Sequence, residues 1–335
     1  MTLQLAIESP ANGTATSGTL HVAVTVRGGK PGAVEIVFTA GATETRLATV
    51  GPPYAYDWNT GSVPEGTYGL RGRVVAGNDR YESQSVSIVL DRTSPSVYVT
   101  EWQNHTVRKI TPTGEVTTLA GTAGVPGSTD GMGTAARFSN PAGIVASGEY
   151  VFVADAGNNT IRRIMPSGAV DTVAGVAGVP GSADGPLFGV TATFNFPYGL
   201  ALEQRLFNFF IVDAKNDAIR KITWTPGTVS TYAGWVGHPG TTDATGTAAQ
   251  FNYPHAVAVD PYYTVYVNDS YNYTIRKITP AAVVTTIAGT PLACGSADGV
   301  GAAARFNGPY GIAVDASGNL YVADYWNHTI RKIWK

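Results

Sequence analysis

The stretch "TIRKI" at residues 329–333 is the one whose reading decides the fold, because it is not alone. Near-copies stand at 106–110 (TVRKI), 160–164 (TIRRI), 218–222 (AIRKI) and 274–278 (TIRKI). The closing isoleucines fall at 110, 164, 222, 278 and 333, so the spacings are 54, 58, 56 and 55 residues. Self-similarity at a fixed period marks a repeat architecture. Working outward, each unit parses into four short strands. The first reads GIVAS, GLALE, AVAVD or GIAVD, and the second VYVTE, VFVAD, FIVDA, VYVND or LYVAD. "IRKI" is the third, and VTTLAG, VDTVAG, VSTYAG or VTTIAG the fourth. β-Branched runs punctuated by Gly, Asn, Asp and Pro are antiparallel strands joined by tight turns. Four strands per repeat of this length predict one propeller blade.

The fourth strand leads into a Gly-rich passage such as "GTAGVPGSTDGMGTAARFSNP", whose recurring Phe138, Phe194, Phe251 and Phe306 are expected to plug apolar surface between blades. The composition agrees with a β-rich chain: 44% hydrophobic, 14% charged, 40 Gly and 20 Pro. A net charge of −2 with no run of like charge leaves no footprint for nucleic acid or an anionic membrane. The single Cys294 excludes an internal disulfide and a cysteine-based zinc site. No apolar run reaches the ~18 residues of a membrane-spanning helix, and "MTLQLAIESP" lacks the regions of a signal peptide.

The pattern F-N-x-P-x-G-I-A-V-D, G-N-L-Y-V-A-D, N-H-T-I-R-K-I, V-T-T-I-A-G resembles the NHL repeat, with "NHT" at 104–106 and 327–329 and NNT, NDA and NYT in the middle copies. The resemblance covers residues 96–335 and implies a β-propeller, a fold whose members include binding scaffolds, lyases and RNA binders. Residues 1–94 lack the repeat; their alternating runs suggest about seven strands and a β-sandwich. Trp58, Asn59, Thr60, Ser62, Val63, Pro64, Gly66 and Tyr68 resemble the pattern of bacterial Ig-like domains of surface proteins, with Trp58 expected as the core anchor and "DRTSP" (91–95) as a short linker. The expectation is an all-β chain: an Ig-like sandwich over 1–94 and a propeller over 95–335, five blades with the terminal ones incomplete.

The lyase branch of such propellers, as the resemblance implies, uses histidine in a P-H-G context to hold zinc. The equivalent triplets here carry Ala142, Tyr198, His255 and Tyr310, so only one histidine is in place; a three-ligand centre needs more. Tyr198, His255 and Tyr310 are instead expected to form an aromatic and imidazole pocket at the channel mouth. The second strands end on Glu101, Asp155, Asp213, Asp269 and Asp324, each followed by an Asn and then by Arg108, Arg162, Arg220, Arg276 or Arg331. A catalytic acid/base pair needs two differently tuned groups. A set present in every blade reads as structural, with Asp and Asn accepting backbone bonds in the turn and Arg bridging to a carboxylate. Asp130, Asp184, Asp243 and Asp298 recur in the Gly-rich passage as braces. "DASGN" (315–319) fits a hairpin turn better than a calcium loop, although its oxygens leave a structural calcium open.

These readings favour a non-enzymatic extracellular or surface protein that needs no cofactor and binds a protein or glycan partner. A metal-dependent propeller lyase or hydrolase is the alternative. The strand count, 3 + 12 + 3 = 18, matches neither 20 for five full blades nor 16 for four. A five-bladed ring with an imperfect seam, a four-bladed ring that leaves residues 320–335 free, and a terminal blade completed by another chain all stay open.

Overall fold

The computed structural model describes residues 4–9, 14–15, 19–27, 34–40, 43–51, 55–59, 66–76, 79–82, 86–90, 96–189 and 191–334. The chain divides into two units, residues 1–95 and 96–335.

The first unit contains nine described strands rather than seven. Gln4–Ser9, Thr19–Arg27 and Ala55–Asn59 form one sheet. The other runs Thr14–Ala15, Val86–Leu90, Gly66–Ala76, Val34–Ala40, Thr43–Val50, with Asp79–Glu82 paired to Gly66–Ala76. The two extra strands are short, of 2 and 4 residues, too brief to show a period in sequence. Val34, Ile36 and Val37 are buried, and Arg73 and Arg46 both bond the Glu35 carboxylate. The Trp58 side chain and residues 91–95 lie outside the described residues.

The second unit is a five-blade propeller arrangement. Blade one is Val97–Glu101, Thr106–Ile110 and Val116–Gly121. Blade two is Pro141–Ser147, Tyr150–Asp155, Thr160–Ile164 and Ala169–Gly175; blade three is Pro197–Glu203, Asn208–Asp213, Ala218–Thr223 and Thr228–Ala233. Blade four is Ala256–Val259, Val265–Asp269, Thr274–Ile278 and Val284–Ala288, and blade five Pro309–Val314, Leu320–Asp324 and Thr329–Ile333. Leu320–Ile333 is therefore a paired part of a fifth sheet, and the four-bladed ring with a free tail is not formed.

Alternation along each strand gives a blade two apolar faces, and at the four internal junctions the faces of neighbouring blades meet. Phe152, Ile161 and Ala174 on the leading face of blade two pack against Phe209, Ile211 and Ile222 on the trailing face of blade three. Phe210, Ile219 and Ala233 meet Val265, Val267 and Ile278 in the same way, and Tyr266, Ile275 and Ala288 meet Leu320, Val322 and Ile333. The loop phenylalanines Phe138, Phe194, Phe251 and Phe306 are buried between blades. The first strands of blades two to five pack in succession and Val97–Glu101 packs on the first strand of blade two, but among the described residues no comparable packing joins a strand of blade five to blade one. The bare faces are plain in the exposure: Ile330 is 71% exposed where Ile161, Ile219 and Ile275 are 0%, and Val97 is 57% exposed where Val151 and Val265 are 0%.

The Pro-x-Gly corner follows from close approach at the first strands. A Cβ on Gly199 would sit 2.7 Å from the His255 carbonyl oxygen and 2.9 Å from Ala256 Cα. Between blades the chain also uses a clasp. His105, Asn159 and Asp217 adopt positive φ (57°, 59°, 53°) at the end of the turn that follows the second strand, a 3₁₀ turn in the last two cases, a conformation that short polar side chains tolerate best. From there His105 Nδ1 accepts from Asn140 N at 3.1 Å, Asn159 Oδ1 from Phe196 N at 2.8 Å and Asp217 Oδ1 from Tyr253 N at 2.8 Å.

Candidate functional site: an aromatic end of the propeller

Two sets of side chains were expected to matter, and the structure separates them. The repeated Asp and Arg form a girder inside blades two to five. Arg162 is fully buried, with Nη1 2.9 Å from Asp155 Oδ2 and Nη2 2.7 Å from Asp130 Oδ1. It also donates to the Arg137 and Thr129 carbonyls and lies 5.1 Å over the Phe138 ring. Asp155 caps no turn of its own. Its Oδ1 accepts from Ser139 N across the blade, while Asn158 donates to Oδ2 and to the Gly127 carbonyl. Arg220 with Asp213 and Asp184, and Arg276 with Asp269 and Asp243, repeat this geometry. Arg331 with Asp324 and Asp298 does so in blade five. Blade one has only the half-exposed pair Arg108–Glu101, at 3.3 Å. Burial pushes Asp155, Asp213 and Asp269 up to about 6, against the pull of their Asn, backbone and Arg partners. Asp315 accepts from Ser317 N and Asn319 N, both at 2.9 Å, in the hairpin turn of blade five.

Tyr198, His255 and Tyr310 come together. They occupy the middle position of the Pro-x-Gly (in blade four Pro-x-Ala) corners of blades three, four and five, and the corners converge at one end of the first strands. His255 lies 5.0 Å from Tyr198 and 4.0 Å from Tyr310, ring centre to ring centre. The run extends past the expected trio. Trp102 stands 5.6 Å from Tyr198 and 5.8 Å from Phe196, Tyr325 stands 4.7 Å from Tyr310, and Trp326 4.9 Å from Tyr325. Tyr253 and Tyr271 stack at 5.0 Å beside His255. Trp102, Tyr271, Tyr325 and Trp326 come from the turn after the second strand, and Phe196 and Tyr253 from the residue before the Pro-x-Gly corner. Neither position repeats its residue type, so the repeat pattern hides them. The usable signal is that variable positions flanking a fixed corner must share its end of the blade.

His255 is 4% exposed, and burial pushes its imidazole down to about 4, so the ring is neutral at pH 7. Its Nδ1 finds no hydrogen-bond partner among the described residues, nor does either amide atom of the fully buried Asn268, whose carbonyl accepts from His255 N. Buried polar groups without partners are rare, and these two share the junction of blades four and five. That junction departs from the others. Ala256 replaces the corner glycine, and Tyr273 holds the positive-φ position where the clasp residues stand. Ser270 instead donates to the Pro309 carbonyl. Burial also raises the phenols of Tyr198, Tyr253 and Tyr310, so they stay protonated donors. Of the other histidines, His238 stacks on Trp235 at 4.2 Å, and the His21 side chain lies outside the described residues. Among the described residues no group of three or more His, Cys, Asp or Glu is placed to hold a metal ion, and no helix is long and apolar enough to cross a membrane, which says nothing of a β-barrel.

Residues 306–333 match the NHL repeat, and residues 4–71 match a bacterial Ig domain. Protein SUPPRESSOR OF QUENCHING 1, chloroplastic, of Arabidopsis thaliana is 30% identical over 252 residues, 71% of this chain and 24% of its own length. NHL repeat-containing protein 2 of Homo sapiens is 26% identical over 276 residues, 73% of this chain and 38% of its own. The chain thus spans 24% and 38% of the length of these two relatives. A solved auxiliary nutrient binding protein from Bacteroides thetaiotaomicron aligns over 98% of this chain and 97% of its own, at 15% identity and a TM-score of 0.46.

Proposed function

We propose that this chain, which carries an NHL repeat and a bacterial Ig domain, is a non-enzymatic secreted or cell-surface interaction protein whose contact surface is the aromatic end of the propeller. The observation that carries the reading is the ring-to-ring run from Trp102 to Trp326. Its outer members Tyr271, Tyr325 and Trp326 are 53%, 52% and 58% exposed. Tyrosine and tryptophan offer a large, rigid apolar face with a polar tip, which suits a protein loop or the flat face of a sugar ring. With His255 neutral and a net charge of −2 on the whole chain, Lys215 over the Phe196 ring is a lone cation in this run of rings rather than a basic patch for polyanions. No cofactor enters this reading. The bacterial Ig match supports a place outside the cell.

The test is binding of the purified chain to glycan and peptide arrays. A Tyr271→Ala/Tyr325→Ala/Trp326→Ala triple variant alters exposed side chains, so it keeps its unfolding temperature and loses the hits. Hits that survive the triple variant refute the aromatic end. The competing class, a lyase or hydrolase with a channel metal, is separated by elemental analysis. Stoichiometric zinc or calcium that disappears in His255→Ala overturns the non-enzymatic reading.

A second reading is favoured by the bare terminal faces. Val97 and Val99 on blade one, and Ile330 on blade five, hold the residue types that mate at the internal junctions. Copies joined head to tail would set the face of blade five of one copy against the face of blade one of the next, a heterologous contact. Light scattering over a concentration series tests it, with Val99→Glu as the variant that dissociates the assembly. A strictly monomeric particle at the highest concentration removes it.

A further inference from the structure

Tyrosines surround the His255 ring: Tyr198, Tyr253, Tyr271 and Tyr310 stand 5.0, 5.2, 6.3 and 4.0 Å from it, ring centre to ring centre. Tyr325 follows, 4.7 Å from Tyr310. A tyrosine that buries its ring usually finds a hydrogen-bond partner for its hydroxyl. Elsewhere in the propeller this holds. Tyr232 donates to the Thr279 carbonyl at 2.8 Å, and Tyr266 and Tyr321 donate to Asp260 and Asp315, both at 3.3 Å. At the aromatic end none of the hydroxyls of Tyr198, Tyr253, Tyr271, Tyr310 and Tyr325 bonds another group among the described residues. They nevertheless crowd one small volume, since each resists the ionisation of others. Burial raises the Tyr198 phenol most, and Tyr310 and Tyr325 add to it; for Tyr253 the additions come from Tyr271, Tyr198, Tyr310 and Asp217.

Buried polar atoms beside these phenols are uncommitted as well. The neutral imidazole donates to the Tyr253 backbone, which leaves Nδ1 as a bare acceptor. Asn268 is fully buried, and neither its Oδ1 nor its Nδ2 has a partner among the described residues. The residue at its place in blade one, Thr100, donates to the carbonyl of Ala142, the middle residue of the next corner. By that correspondence Asn268 is aimed at the corner that carries Tyr310, where blades two and three present the apolar Ala154 and Val212. This inventory selects a chemistry. Phenols and the amide both donate and accept, Nδ1 accepts, and a hydroxyl group answers all of them. The charges at the margin, Lys215 over the Phe196 ring and Asp217 on the Tyr253 amide, are of opposite sign. An extended peptide is read through a strand edge, whereas the corners here begin on Pro197, Pro254 and Pro309, which offer no N–H.

We infer that the cup formed by Tyr198, Tyr253, His255, Tyr271 and Tyr310 is a subsite for the terminal sugar of a neutral glycan. The inference rests on the aromatic end being the contact surface, and it names the class of partner. The sugar lays its apolar face on Tyr271, which is 53% exposed and backed by the Tyr253 ring at 5.0 Å. Its hydroxyls bond the phenols. Tyr310, which no side-chain hydrogen bond holds in place, yields to admit one hydroxyl to His255 Nδ1, and Asn268 is the polar group behind it.

The probe is an array of neutral β-glucan, mannan, galactan and N-acetylglucosamine oligomers, with the strongest hit then titrated free in solution by calorimetry. The variant is Tyr198→Phe/Tyr253→Phe/Tyr310→Phe. It keeps every ring and removes hydroxyls that bond nothing in the protein, so its unfolding temperature stays that of the wild type. Saturable binding to the wild type is expected, weakened roughly tenfold or more in the variant, since each lost hydroxyl contact is worth about two- to tenfold. An array on which no neutral glycan is retained, or a hit that binds this variant as well as the wild type, overturns the inference. Peptide hits that persist with the phenylalanine substitutions and vanish with Tyr271→Ala/Tyr325→Ala/Trp326→Ala also overturn it, while leaving the aromatic end as the contact surface for a protein.

Discussion

Tyr310 places its ring 4.0 Å from that of His255, closing an imidazole that is 4% exposed against the inner corner of the next blade. The contact joins the candidate contact surface to the least regular junction of the propeller.

That burial has a pH signature. The His255 imidazole is pushed down to about 4 in the folded chain from an ordinary value of 6.5. Between those values the unfolded chain binds the proton and the folded chain does not. The contribution of His255 is therefore complete above pH 6.5 and lost as pH falls toward 4, at most about 3 kcal/mol. Asp155, Asp213 and Asp269, raised to about 6, act in the opposite direction, gaining stability as pH falls from 6. Urea unfolding of the chain and of His255→Phe across pH 4–7 isolates the histidine. The stability difference between them should shift toward the variant as pH drops, and a constant difference contradicts it.

Removing a girder arginine should be costly only where the girder is buried. Arg220→Met leaves Asp213, itself fully buried, without its counter-charge and frees two backbone carbonyls. The expected loss is about 3–5 kcal/mol. Arg108→Met breaks a half-exposed pair and should cost under about 1 kcal/mol. Urea midpoints of the two variants, measured side by side, check the contrast.

The corner glycines should resist even one methyl group. Gly199→Ala forces a Cβ to within 2.7 Å of the His255 carbonyl, and overpacking of this kind costs about 1–3 kcal/mol. Blade four already carries Ala256 at the corresponding corner, so Ala256→Gly should cost about 1 kcal/mol or less. Thermal unfolding of both variants decides the point.

Equivalent isoleucines should answer differently to charge. Ile275→Glu buries a carboxylate between blades four and five and should cost more than about 4 kcal/mol. Ile330→Glu, on a residue 71% exposed, should stay within about 0.5 kcal/mol. Similar losses at both positions would mean that the face of blade five is covered.

The blades were legible because two signals coincide in them. Alternation names the strand, and the near-constant spacing of "IRKI" names the unit. The girder residues could be picked out for the same reason, yet not their geometry. Asp155 bonds Ser139 N, 16 residues back, and a turn-capping reading sees only near neighbours. His255, Tyr198 and Tyr310 stood at a recognisable corner and do meet. Trp102, Phe196 and Tyr325 join them from positions that are aromatic in only two blades each, and only the three-dimensional neighbourhood unites them. The clasp by His105, Asn159 and Asp217 was hidden because three chemically different side chains share one backbone conformation and one task. How the blades end was equally out of reach, since counting strands cannot tell a covered face from a bare one.

The uniform mating of leading and trailing faces makes the propeller a periodic lattice in one dimension. Every junction accepts the same residue types on either side, so a blade could be duplicated or deleted without introducing a new kind of contact. Blade number is then free to drift by whole repeats while the cores stay chemically constant. Identity resides instead in what does not repeat, which here is the ring-bearing rim and the irregular seam beneath His255.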